Sequence, residues 1–245
     1  KIKKIKKQKK IFNLDDQNSI LSKLEFELTN DQKKSLDEIN NDLKSNQKMF
    51  RLLQGDVGSG KTVVALTAAH NVIRSGFQVA VMAPTEILAR QHYTLAKKIF
   101  SKQIKIDIIS SKSESKDKKV IKKKLVNNDI DIIFGTHAIF QKKIIFRKLG
   151  LIIIDEQHKF GVNQRKKLSD KGGDNCDVLL MTATPIPRTL TMTLYGDMDL
   201  SVIREKPKNR KPIKTYSKLE SNINNVIDFV KKEILSGNQI FWVCP

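Results

Sequence analysis

Gly55-Asp56-Val57-Gly58-Ser59-Gly60-Lys61-Thr62 restricts this chain more than any other stretch. A glycine, four residues and then Gly-Lys-Thr is the spacing of a phosphate-binding loop. A triphosphate needs several donors converging on its oxygens. Glycines let successive backbone N–H groups turn inward, because no Cβ obstructs them. A helix opening at Lys61 adds its free N–H groups and the positive end of its dipole. Lys61 then reaches the β and γ phosphates, and Thr62 offers a hydroxyl to magnesium. Gly55, Gly58, Ser59, Gly60, Lys61 and Thr62 are therefore the candidate binding residues, with ATP and Mg2+ as expected cofactors. The flanks agree. Met49 to Gln54 reads as a strand entering the loop. Residues 61–75 read as a helix, with Val64, Ala68 and Val72 on one face and Gly76 placed to end it.

Beyond the loop, strands and helices alternate. Residues 78–83, 104–109, 130–134, 151–154 and 178–181 read as strands, and 86–100 and 219–236 as helices. Residues 110–119 read as a polar loop before a Lys-rich helix ending near Asn127. Leu151-Ile152-Ile153-Ile154 is a continuous aliphatic run, which suits a central parallel strand buried on both faces. This order predicts an α/β fold: a P-loop domain on a mostly parallel, doubly wound sheet, whose ligand sits at the carboxyl ends of the strands. Those ends carry the loop, Asp155-Glu156 and the pair Thr182 and Thr184. The end of the Pro- and Lys-rich stretch 196–212 reads as a linker, and Gln239 to Cys244 as a new strand. The expected division is a basic arm over 1–25, a motor-type domain over 26–205, and 206–245 as linker and truncated start of a second domain. With no initiator Met and an abrupt end at Cys244-Pro245, the chain reads as a piece of a longer protein.

The charge balance points to a polyanion. Lys and Arg number 46 against 26 Asp and Glu, a net charge of +20, and nucleic acid is the first candidate. Only eight of the 46 are Arg, a skew that an AT-rich genome also produces. Residues 1–12 read as a solvated helix or frayed arm, or else as an arm touching phosphates. Cys176 and Cys244 form neither metal-ligand spacing nor a disulfide framework, which fits a reducing cytoplasm. The apolar runs are too short to span a bilayer.

An apolar strand ending in Asp-Glu is the expected second half of a nucleotidase site. Asp155 holds magnesium opposite Thr62, and Glu156 orients or deprotonates the attacking water. His158 follows closely, so a role beside the γ-phosphate is expected. Thr182 and Thr184 either link that histidine to a neighbouring domain or make a simple strand-end hydrogen bond. Thr29 or Asn30 caps a helix running to about Leu43, and Gln32 offers an amide able to read an adenine edge.

Ala83-Pro84-Thr85-Glu86-Ile87-Leu88-Ala89-Arg90-Gln91-His92, Gly135-Thr136-His137-Ala138, Asp155-Glu156-Gln157-His158-Lys159-Phe160-Gly161-Val162 and Thr182-Ala183-Thr184-Pro185-Ile186-Pro187-Arg188-Thr189 follow the loop in that order. The set resembles the superfamily 2 helicases, most closely their RecG branch. Leu194-Tyr195-Gly196-Asp197-Met198-Asp199-Leu200-Ser201 and Phe241-Trp242-Val243-Cys244-Pro245 extend the likeness, which runs from about residue 26 to the end. The resemblance implies RecA-like domains and an ATP hydrolase, a helicase that translocates on duplex DNA and remodels forks and Holliday junctions in recombination and repair. It implies that Gln32 reads adenine, and that Pro84, Thr85, Arg90, Gly135, Thr136 and His137 meet the DNA backbone. It implies a monomer in the bacterial cytoplasm, associated with the nucleoid, with branched DNA as partner and single-strand-binding protein among fork partners. A wedge domain is expected before residue 1, and the arginine completing the ATP site after residue 245. Two other readings stand beside it: a transcription-repair coupling translocase, disfavoured by Gln157 where a third acidic residue is typical, and a non-catalytic nucleotide-switched binding module.

Overall fold

In the computed structural model, which describes residues 6–110, 115–141, 143–156, 173–184, 198–205 and 214–243, the aliphatic runs alternate between two cores. Leu53, Val79, Val81, Leu151, Ile153, Leu179 and Met181 belong to one. Their neighbours Leu52, Ala80, Met82, Ile152, Ile154, Val178 and Leu180 belong to the other. A strand's side chains alternate faces, so an unbroken aliphatic run feeds two layers at once.

The strands are β1 Phe50–Gly55, β2 Gln78–Met82, β3 Ile106–Ile109, β4 Ile132–Gly135, β5 Leu149–Ile154, β6 Asp177–Thr182 and β7 Asp199–Ile203. They form a seven-stranded sheet in the order β3-β4-β2-β5-β6-β1-β7, and each pairing is parallel. The helices are α1 Leu14–Leu21, α2 Asn30–Lys44, α3 Lys61–Arg74, α4 Glu86–Ile99 and α5 Ser115–Val126. Helix α3 is buried nearly all round. Its Ala65, Ala68 and Ala69 are fully enclosed, and small side chains let it lie close on the sheet. The fold is the α/β, RecA-like arrangement expected. Among the described residues no helix is long and apolar enough to cross a membrane.

The chain separates into two compact units, Lys1–Lys208 and Asn209–Pro245. The second contains a 3-10 turn at Glu220–Asn222 and helix α6 Ile223–Leu235.

Five local readings differ. The described part of the basic arm is not frayed. Lys7 N donates to Asn46 O at 2.9 Å and Lys10 N to Leu43 O at 3.0 Å. The ammonium groups of Lys7 and Lys10 meet Asp177 Oδ2 at 2.6 and 2.8 Å, with all three side chains fully buried. Asp177 Oδ1 also accepts from Met49 N at 2.7 Å. Lysines are buried when a carboxylate neutralises them, and here that carboxylate lies 170 residues away in sequence. Residues 13–27, unassigned from sequence, contain α1, whose Ile20 joins the core. Strand β7, read as the approach to a linker, pairs with β1. Helix α5 starts inside the expected loop 110–119, and residues 239–243 form no strand.

Candidate nucleotide-binding site

Parallel strands place their carboxyl ends at one edge. Strand β1 opens the 55–62 loop there, β2 delivers Pro84 and Thr85, β4 delivers Gly135, Thr136 and His137, and β5 ends at Asp155-Glu156. Strand β6 delivers Thr182 and Thr184, and β7 delivers Arg204 and Glu205. Residues spread over 150 positions thus share one side of the sheet, as the crevice rule for open α/β sheets requires. His158 lies outside the described residues, as do Gln157 and Pro185–Asp197.

The loop is shaped by its glycines. Gly58 and Gly60 have φ of 78° and 85°, a region that glycine enters without steric penalty. Gly60 is constrained a second way, because a Cβ there would collide with the Gln32 amide. A Cβ on Gly55 would lie 2.6 Å from Ser59 Oγ and 2.9 Å from Ile203 O. Helix α3 begins directly after Gly60, presenting its unpaired N–H groups to the loop. Ser59 Oγ is buried without a hydrogen-bond partner among the described residues, a donor available to a polar ligand.

Lys61 is tucked into the loop rather than extended into solvent. It is 8% exposed, and Nζ donates to Gly55 O at 2.5 Å and Asp56 O at 2.9 Å. An ammonium carries three donors on a flexible stem and takes the acceptors within reach. Burial lowers its pKa from the ordinary value, opposed by the carboxylates of Glu156, Asp155 and Asp56. Those carboxylates therefore act on Lys61 across the site. Thr62 is half-buried.

Asp155 is buried and held from three sides. Its N donates to Met82 O at 2.8 Å, Oδ1 accepts from Glu156 N at 3.0 Å, and Oδ2 lies 2.8 Å from His92 Nε2. Glu156 has φ of 50°. A non-glycine residue in that region carries strain, and such strain concentrates at functional sites. Among the described residues no group of three or more His, Cys, Asp or Glu forms a metal site by itself. A nucleotide-bound Mg2+ needs less, one or two protein oxygens plus phosphate. The hard oxygen donors of Thr62 and Asp155 fit that cation.

Gln32 is 1% exposed. Its Oε1 accepts from Thr29 N at 2.9 Å and its Nε2 donates to Ser59 O at 2.7 Å. Thr29 Oγ1 in turn accepts from Gln32 N, completing a capping box. Each end of the amide makes one such bond, which leaves a second N–H and a second lone pair for an adenine edge. Next to it, Asp31 Oδ2 accepts from Arg204 N at 2.8 Å and Glu205 N at 2.9 Å. Thr182 and Thr184 hydroxyls lie 2.8 Å apart, and Thr184 N donates to Thr182 Oγ1 at 3.2 Å.

The residues selected for DNA contact lie on the same edge. Thr85 caps α4 by accepting from Leu88 N at 3.3 Å. Arg90 is exposed and meets Glu86 at 3.1 Å. Thr136 is half-buried and His137 exposed. His92, Asp31 and Asp177 were not singled out from sequence. The one available signal was a histidine on the apolar side of α4.

A DEAD/DEAH box helicase family model matches residues 29–193. The chain is 47% identical over 240 residues to the ATP-dependent DNA helicase RecG of Borreliella burgdorferi, covering 98% of the chain and 35% of that protein. It is 48% identical over 226 residues to RecG of Bacillus subtilis, covering 92% and 33%. The chain therefore spans about a third of the relatives it matches. A structure of RecG bound to a three-way DNA junction superposes with TM-score 0.86 at 40% identity, over 97% of this chain and 32% of that one. The family match starts at the cap of the helix that grips Ser59 and runs past Thr184. Nearly the whole sheet edge described above lies within it, and the chain belongs to the DEAD/DEAH box helicase family, with the RecG helicases as relatives.

Proposed function

We propose that this chain is the first motor unit of a RecG-type helicase, which couples ATP hydrolysis to translocation on DNA and to remodelling of forks and junctions. The observation that carries the reading is the meeting at one sheet edge of the 55–62 loop with Asp155 and Glu156. In this reading the loop N–H groups and Ser59 bind the phosphates. Lys61 leaves the carbonyls of Gly55 and Asp56 for the β and γ oxygens. Thr62 and Asp155 hold Mg2+, which neutralises phosphate charge. Glu156 orients or deprotonates the attacking water. Gln32 reads adenine with the N–H and lone pair that its present contacts leave. Residues 206–245 are a linker and the start of a second RecA-like domain, whose arginine, expected after residue 245, completes the site. His158, Thr182 and Thr184 couple the site to that unit.

Pro84, Thr85, Arg90, Gly135, Thr136 and His137 contact the DNA backbone. Backbone amides, hydroxyls and a guanidinium suit phosphates and carry no base readout. The RecG structure on a three-way junction supports branched DNA as substrate. The full-length protein then acts as a bacterial monomer at the nucleoid, alongside single-strand-binding protein. The test is unwinding of forked against linear duplex DNA by the full-length protein, with and without RNA polymerase. Selective action on the fork without polymerase supports the reading. Activity only on stalled polymerase favours the transcription-repair alternative.

A further inference from the structure

Helix α4 touches both halves of the proposed machine. Its amino end carries Thr85 as cap and exposed Arg90, on the side assigned to DNA. Two residues beyond Arg90, His92 turns inward, 8% exposed, with Nε2 2.8 Å from Asp155 Oδ2. A carboxylate only accepts, so Nε2 is the donor. The other oxygen of Asp155 is already bound by Glu156 N, so among the described residues His92 is the side chain by which another element holds the carboxylate. Each carboxylate oxygen retains a further lone pair for a cation. The backbone gives a second tie, since Asp155 N is bonded to the carbonyl of Met82, two residues before the Pro84-Thr85 turn that starts α4.

We propose that His92 is a positioning residue for Asp155, and that through it the DNA-facing helix α4 adjusts the nucleotide site. This rests on the motor reading. A shift or rotation of α4 on phosphate contact moves His92, and Asp155 Oδ2 follows its donor. DNA binding then changes the geometry at Asp155 without any DNA atom reaching it. Loss of such a partner to a ligating carboxylate typically costs about 10- to 100-fold in activity or metal affinity.

The test compares His92→Gln, which keeps a donor at similar reach, with His92→Met, which fills similar volume without one. Phosphate release is measured with and without forked DNA in the full-length protein, and affinity for a fluorescent ATP analogue with EDTA or Mg2+. The expected result for His92→Met is an about 10- to 100-fold loss of the DNA-stimulated rate. It should lose the Mg2+-dependent gain in affinity while keeping EDTA affinity. His92→Gln should restore much of both. In the wild type, the His92 imidazole resonance should shift on adding forked DNA without nucleotide, a readout that stands even if a variant fails to fold. A wild-type resonance unmoved by DNA overturns the inference. So does a folded His92→Met variant with the wild-type ratio of stimulated to basal rate. A wild-type protein with no DNA stimulation overturns the motor reading, and this inference with it.

Discussion

The Glu156 backbone sits at φ 50°, a conformation costing a non-glycine residue about 1–3 kcal/mol. The motor reading assigns its carboxylate to the attacking water. Glu156→Gln keeps shape and backbone and removes the carboxylate that reading uses as base. Nucleotide affinity, measured by fluorescence titration, should stay near wild type while turnover falls by about 10²–10⁴. Near-normal turnover would remove Glu156 from the chemistry. Cys176 makes the opposite case, a reactive residue type kept inert. It is fully buried, and that burial pushes its thiol up to about 12. The thiolate is the reactive form, so in a Cys244→Ser background a disulfide reagent at pH 8 should leave the native protein unlabelled and modify it after unfolding.

At the scale of elements, α2 ties three parts of the first unit together. Gln32 grips the phosphate loop, Arg51 on β1 meets Asp42 of α2 at 2.8 Å, and Asp31 binds the backbone after β7. The amides of Glu205 and Arg204 hold the Asp31 carboxyl below its ordinary range. A folded pKa lowered in this way stabilises above the unfolded value of about 3.9, and the contribution is lost as pH falls through the folded value. A carboxyl titration followed by NMR should place the Asp31 midpoint below that of an unfolded peptide. A midpoint at or above it would contradict the contact. At the opposite end of the sheet, Asp177 neutralises Lys7 and Lys10, and burial pulls the Lys7 pKa down despite that carboxylate. Asp177→Asn leaves two buried ammonium groups without their counter-charge, which costs about 3–5 kcal/mol. Thermal unfolding should show it as a clear fall in midpoint, and an unchanged midpoint would mean the arm contributes little.

For the molecule as a whole, the fold was legible because its signals are local and periodic. The glycine loop, the aliphatic run at 151–154 and the polar strand ends each announce themselves within a few residues. What escaped depends on partners remote in sequence. Lys7 and Lys10 look like solvated charge until Asp177 is brought to them. His92 looks like one more ring on an apolar face until β5 places Asp155 opposite. Strand β7 is short and half-exposed on one face, so its alternation is faint until β1 supplies its ladder. The position of Lys61 was not readable, because the loop's own carbonyls offer acceptors that motif spacing does not reveal. The expectation that the +20 charge serves a polyanion is a statement about the whole surface, and it implies binding that weakens steeply with salt.

The most direct measurement is phosphate release from ATP by the full-length protein, with and without forked DNA, for wild type and Lys61→Ala. The account predicts strong stimulation by the fork in the wild type and loss of turnover in Lys61→Ala with its fold intact by circular dichroism. Turnover in Lys61→Ala near the wild-type rate, or a wild-type rate indifferent to DNA, would contradict it.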